Sequence, residues 1–198
     1  MGSSDGGPIT LEAQTSLLAD GSRITTQSNS SATGAGGDIQ ITARDTLMLG
    51  DRSFIDAGTV AAGVGGRIDI DAGAIALSDF SFLNTSTLGA GAAGPIRLTT
   101  TVGDVVLNDS SLFSLTAGAG NAGTITVQSA GDLLINGGSV ISTSVLQGAG
   151  GEGSNITIDA PMGVFIQGTG ATPELPTGTL TDGANAAVGD SFIPSGIT

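Results

Sequence analysis

The stretch that decides the fold is GNAGTITVQSAGDLLINGGSVISTS, residues 120–144. It holds three short segments, TITV, LLI and VIS, which glycine-containing turns separate. The first segment alternates apolar and polar side chains, which is the two-residue period of a β-strand with one buried face. Glycine and threonine disfavour helix, and no 3.6-residue apolar stripe runs through the stretch. The stretch therefore predicts three short strands joined by turns.

The same pattern recurs along the chain at a steady period. An apolar-polar-apolar triplet follows a glycine-rich turn six times, at intervals of 30, 29, 28, 29 and 31 residues. A second apolar segment follows each triplet, and in five units a Gly, Asn or Asp turn then leads to a third segment. The triplets begin at Ile9, Ile39, Ile68, Ile96, Ile125 and Ile156. The period is too short for a propeller blade of roughly 40–45 residues.

We therefore predict an all-β fold, in which each repeat is one coil of a parallel β-helix, or β-solenoid, with about 29 residues per coil and roughly six coils. Residues 1–168 are predicted to form the solenoid. Residues 169–198 are predicted to be an irregular C-terminal coil or tail that continues or covers it. Stacked coils place like residues above like, so the six isoleucines form one buried column. A second buried column is predicted to hold Ile24, Ile55, Leu83, Phe113 and Ile141.

The charge balance narrows the classes of partner. The 198 residues include 18 acidic residues and five arginines, for a formal net charge of −13. Such a surface repels the phosphates of nucleic acids and anionic lipids. No apolar run is long enough to cross a membrane. We expect no nucleic-acid partner and no membrane insertion.

The best candidates for catalysis are Asp69 and Asp71 in RIDIDAG. Alternation places both on the outer face, and stacking places Asp69 beside Gln40 and Arg97. Clustered carboxylates with a cation are typical of β-helical polysaccharide lyases and hydrolases, but His and Lys do not occur in this chain. A solvated surface pair worth about 0–1 kcal/mol explains the same residues. We predict no catalytic and no cofactor-binding residues.

A calcium site is the next alternative. GAGGDIQI, residues 34–41, supplies oxygen ligands of the kind that calcium prefers, and so does a column of aspartates predicted to stack at the turns after the second segments. A calcium-binding nonapeptide roll would repeat every nine residues, so turn formation is the favoured explanation, and no metal site is predicted. The column consists of Asp20, Asp51, Asp79 and Asp109.

The second segment departs from the alternating pattern. Its middle residues should face outward, yet they are apolar where a solvated strand would carry Thr, Asp or Arg. An unbroken apolar stripe is unusual for an exposed surface, so the C-terminal tail, acting as a lid, or a partner chain is predicted to cover it. This predicted face consists of Leu17, Met48, Ala76, Val106, Leu134 and Phe165.

The unit GNAGTITVQSAGDLLINGGSVISTSVLQGAGG, residues 120–151, resembles the repeats of filamentous-haemagglutinin-like large exoproteins, especially those of cyanobacteria, which leave the cell by two-partner secretion. The resemblance covers residues 6 to about 168. It implies a right-handed parallel β-helix that is secreted or displayed at the cell surface, with an adhesive or structural role and no catalytic residues. It also implies two partners: an outer-membrane translocator during secretion, and a glycan or protein on a host or neighbouring cell.

Together these observations predict a non-catalytic structural or adhesive repeat segment of a secreted or cell-surface exoprotein. The alternatives are a carbohydrate-active β-helix, either a polysaccharide lyase or a hydrolase, and a calcium-binding scaffold.

Overall fold

The structure is a computed structural model that describes residues 5–28 and 33–168. Within these residues the secondary structure is β only, and no helix has the length and apolar character needed to cross a membrane. The predicted C-terminal tail, residues 169–198, lies outside the described residues. The strands are β1 (Ile9–Ala13), β2 (Leu17–Asp20), β3 (Arg23–Thr25), β4 (Ile39–Gly50), β5 (Phe54–Asp56), β6 (Ile68–Leu77), β7 (Phe82–Asn84), β8 (Ile96–Thr100), β9 (Val105–Asn108), β10 (Ser111–Phe113), β11 (Ile125–Gln128), β12 (Asp132–Asn136), β13 (Val140–Ser142), β14 (Ile156–Asp159) and β15 (Gly163–Gln167).

The strands pair in parallel, each with the corresponding strand of the next coil. The first and second segments of the coils form a ten-stranded sheet, and the third segments form a five-stranded sheet. In the second and third coils the first two segments merge into the longer strands β4 and β6. The described residues contain all three segments of five coils and the first two segments of a sixth. The predicted β-solenoid is therefore confirmed.

The first predicted column of the core is confirmed as well. Ile39 pairs in register with Ile9 in the preceding coil and with Ile68 in the following one. Ile39, Ile68, Ile96 and Ile125 are at most 1% exposed, and burying each such side chain is worth about 1.5–3 kcal/mol. The two outer members are only partly buried, because each terminal coil of the described region has a described neighbour on one side only.

The second predicted column is correct except in the fourth coil. Ile55, Leu83 and Ile141 are fully buried, but Leu112 rather than Phe113 completes their column. The turn before β10 explains the error. Four residues lie between Leu77 and Phe82 in the preceding coil, whereas three lie between their paired positions Leu107 and Ser111 here. The one-residue deletion moves every side chain of β10 to the opposite face from that predicted.

Turn chemistry follows the prediction in part. Asp51, Asp79 and Asp109 share a turn position and have φ values of 46°, 53° and 47°, a left-handed conformation that Asp tolerates better than most residues. Adjacent turns are hydrogen-bonded: the N–H of Arg52 donates to the Asp79 carbonyl at 2.8 Å. Asp20 was wrongly placed in this column, since it pairs with Gly50, one position earlier.

Candidate interaction surface

The outward face of the second segment carries an apolar column, as predicted, but its first member differs. Leu17 pairs with Leu47 and packs against the core, so it is not part of the outward face. Leu18 pairs with Met48 and is 69% exposed. The sequence SLLA, residues 16–19, can be aligned with LML, residues 47–49, in two ways. The structure has the alignment in which Leu17 and Ala19 pack against the core. We call the resulting set the apolar column: Leu18, Met48, Ala76, Val106, Leu134 and Phe165.

The apolar column lies on the solvent side of the sheet. Met48 and Phe165 are 47% and 53% exposed, and the three residues between them are half-buried. By contrast, the outward residues of the first segment are polar or charged throughout. They are Thr10, Gln40, Asp69, Arg97, Thr126 and Thr157, followed by Glu12, Thr42, Asp71, Thr99, Gln128 and Asp159.

Carboxylates border the apolar column on both sides. Before the second segment, the Asp132 N–H donates to Asp104 Oδ1 at 2.8 Å, which places these two residues next to each other in adjacent coils. Beyond the segment lie the turn aspartates. The bordering residues are Asp45, Asp104 and Asp132 on one side and Asp20, Asp51, Asp79 and Asp109 on the other, with Arg44 and Arg52 as the nearby cations.

A groove of about 330 Å³ lies where the apolar column meets the turn carboxylates. Leu18 and Met48 line its apolar side, Asp20 and Asp79 line its acidic side, and Gly50 contributes no side chain between them. A methyl group built on Gly50 would lie 3.3 Å from Asp20 Oδ1 and 3.9 Å from Asp79 Oδ2. The two carboxylates therefore converge from the coils on either side of Gly50.

The candidate catalytic pair stands on the polar face. Asp69 pairs in register with Gln40 and Arg97, as predicted. Its carboxylate, however, forms an ion pair with Arg67, with Asp69 Oδ2 3.0 Å from Nε, and Arg97 Nη2 donates instead to Gln128 Oε1 at 3.0 Å. Stacking brings these residues together without directing Arg97 at Asp69.

The carboxylates considered for the calcium alternative do not form a cluster. Among the residues that the structure describes, no three Asp, Glu, His or Cys side chains are grouped as metal ligands would be. Asp109 Oδ1 instead accepts the N–H of Gly138 at 3.0 Å, within the turn region.

The five-stranded sheet carries an aromatic ladder that the sequence patterns did not single out. The rings of Phe54 and Phe82 stack with centroids 4.9 Å apart and planes 4° from parallel, and the Arg23 guanidinium lies 4.7 Å from the Phe54 centroid. Arg23, Phe54 and Phe82 occupy one position in three successive coils. The dipeptide SF at residues 53–54 and 81–82, one repeat apart, is the signal in the sequence.

These outward columns, rather than an enclosed cleft, are the candidate surface. No protein-family model, curated protein sequence or solved structure matches the chain.

Proposed function

We propose that this chain is a non-catalytic structural and adhesive repeat segment of a secreted or cell-surface exoprotein. The apolar column carries the proposal, because it runs without a break along six coils on a face that the fold leaves outward. A contiguous outward apolar stripe is typical of sites that contact other molecules. A solenoid offers such a surface at modest cost, since each coil is stabilised by its neighbours.

The contacts of the acidic residues favour this function over carbohydrate cleavage. A general acid or base must reach the atom whose proton it transfers. The Asp69 carboxylate is already in an ion pair with Arg67, while Arg97 donates a hydrogen bond to Gln128. Both pairs lie on the outward face of a sheet, and in the first the Arg67 side chain is 52% and the Asp69 side chain 15% exposed.

Secretion, surface location and partners follow from the resemblance to filamentous-haemagglutinin-like exoproteins. On this proposal an outer-membrane translocator exports the parent protein. The displayed coils then contact a glycan or protein on a host or neighbouring cell. A translocator gene adjacent to the gene for this chain would support the secretion route.

Adhesion can be measured directly with coated beads. Beads that carry the folded chain are expected to be retained under flow on cultured cells or on polysaccharide-coated surfaces. Beads coated with a non-repeat protein of similar net charge provide the control. Equal retention of both kinds of bead on every surface would contradict the adhesive role.

Catalysis is tested on the same polysaccharides, neutral and acidic. We expect no release of reducing ends or unsaturated products. Turnover that disappears in Asp69→Asn or Asp71→Asn would instead establish the carbohydrate-active alternative.

A further inference from the structure

We propose that the apolar column and its carboxylate borders form a docking surface for a basic amphipathic α-helix of another polypeptide. The inference rests on the proposed function, since it names the chemistry of the partner that the exposed face would bind. An amphipathic helix carries an apolar stripe with polar residues on both flanks. The face described above is its counterpart, an apolar stripe with carboxylates on both flanks.

The apolar part sets the length of the partner. Six coils at a spacing of about 4.8 Å make a column about 24 Å long. A helix rises about 1.5 Å per residue, so about 16 residues would span the column. Leu18, Met48 and Phe165 are the most exposed members and provide the apolar contacts near the two ends.

The charges beside the apolar column determine the sign of the charge that the partner should carry. Seven aspartates border the column, against two arginines. Within the described residues, both ion pairs involve Arg67, which lies on the polar face with Asp38 and Asp69. Arg52 lies over the Phe80 ring, 5.9 Å from its centroid. Within the described residues no ion pair engages the bordering carboxylates, although main-chain N–H groups donate to Asp104 Oδ1 and Asp109 Oδ1. Complementary charge on a partner would orient the helix on the face.

The groove at Gly50 gives the surface a specific point of contact. A lysine or arginine covers apolar surface with its alkyl stem while its charged end reaches a polar environment. Here the stem would lie on Leu18 and Met48, and the charged end would meet Asp20 Oδ1 and Asp79 Oδ2 from two different coils. One basic side chain would thus contact both components of the surface.

The test uses the full chain and a synthetic 16-residue helical peptide of leucine and lysine, with all leucines on one face. Binding is measured by calorimetry at low and at high salt. A peptide with glutamate in place of lysine and a peptide with the same composition in scrambled order are the controls. We expect binding of the amphipathic basic peptide alone, with an affinity that falls as salt increases.

Paired variants locate the site. Asp20→Asn with Asp79→Asn should weaken binding by roughly threefold to tenfold. Asp71→Asn with Asp159→Asn changes the net charge equally on the polar face and should leave the affinity within about twofold. Gly50→Leu fills the groove without a change of charge and should also weaken binding. Circular dichroism confirms that each variant is folded.

Equal weakening by the two aspartate pairs would overturn the proposal, because it would reveal general attraction to an acidic protein. Absence of binding, or equal binding of the glutamate peptide, would overturn it as well. If the beads adhere and the peptide does not bind, the adhesive function stands and the partner is of another kind. If the peptide binds and the beads do not adhere, the docking surface stands and the adhesive role fails.

Discussion

At the scale of the residue, glycine sets how closely the coils can stack. A Cβ atom built on Gly63, Gly91 or Gly120 would overlap main-chain atoms of the corresponding glycine in the preceding coil. Gly94 stands in the same relation to Gly66, and its carbonyl accepts hydrogen bonds from Thr85 Oγ1 at 2.5 Å and Ser114 Oγ at 2.8 Å. These glycines are required because backbone packs on backbone.

Gly94→Ala is therefore expected to destabilise the chain. The added methyl group meets main-chain atoms that cannot move independently, and such overpacking costs about 1–3 kcal/mol. Gly7→Ala is the matched control, since no atom lies within 4 Å of its Cβ position, and it should change stability by no more than about 0.5 kcal/mol. Urea unfolding measures both. Equal effects at the two positions would show that stacking does not depend on Gly94.

At the scale of the element, the sequence was sufficient for strand existence, strand order and most of the register. Six triplets at a steady period align their isoleucines, and the hydrogen-bonded pairs follow that alignment. The sequence was insufficient where the number of residues between segments changes. In β10 a turn shorter by one residue places the opposite set of side chains inward from the set predicted. In β2 the adjacent leucines allow two alignments, and only the structure shows that Leu18, not Leu17, belongs to the candidate surface.

The apolar column could be anticipated because alternation fixes which residue faces outward. The groove could not, because it depends on the absence of a side chain at Gly50 and on carboxylates from two other coils. In the sequence, the only sign of the aromatic ladder is the repeated SF dipeptide. Contacts between coils are separated by about 29 residues, and local pattern does not reveal how those side chains meet.

The register of β10 can be tested by placing a charge on each of its faces. Leu112 is fully buried, whereas Phe113 is half-buried at an outward position. Leu112→Asp buries a carboxylate among apolar side chains and should cost about 4 kcal/mol or more. Phe113→Asp should cost about 1 kcal/mol. Thermal melting distinguishes them, and a greater loss at Phe113 would restore the register predicted from the sequence.

At the scale of the whole molecule, stacking repeats each position of one coil along the axis of the solenoid. The pattern that aligns isoleucines inside also aligns like charges outside. Asp51, Asp79 and Asp109 occupy one turn position in three successive coils, about 4.8 Å apart along the axis. In a chain of net charge −13, this repulsion opposes the stacking that holds the coils together.

Removing the central charge of this set should therefore stabilise the solenoid at low ionic strength. Asp79→Asn preserves a residue that tolerates the positive φ of 53° and an oxygen that can accept the bond from Ser78 Oγ at 2.8 Å. The expected gain is about 0.2–1 kcal/mol in about 0.01 M salt. It should vanish in about 1 M salt, where the Debye length is about 3 Å.

Asp159→Asn removes the same charge beside the neutral Gln128 and should give a smaller gain. Chemical unfolding of both variants at both salt concentrations measures the difference. Equal gains would assign the repulsion to the net charge of the chain, whereas a loss with Asp79→Asn at both salt concentrations would show that the carboxylate supports its turn more than it repels its neighbours.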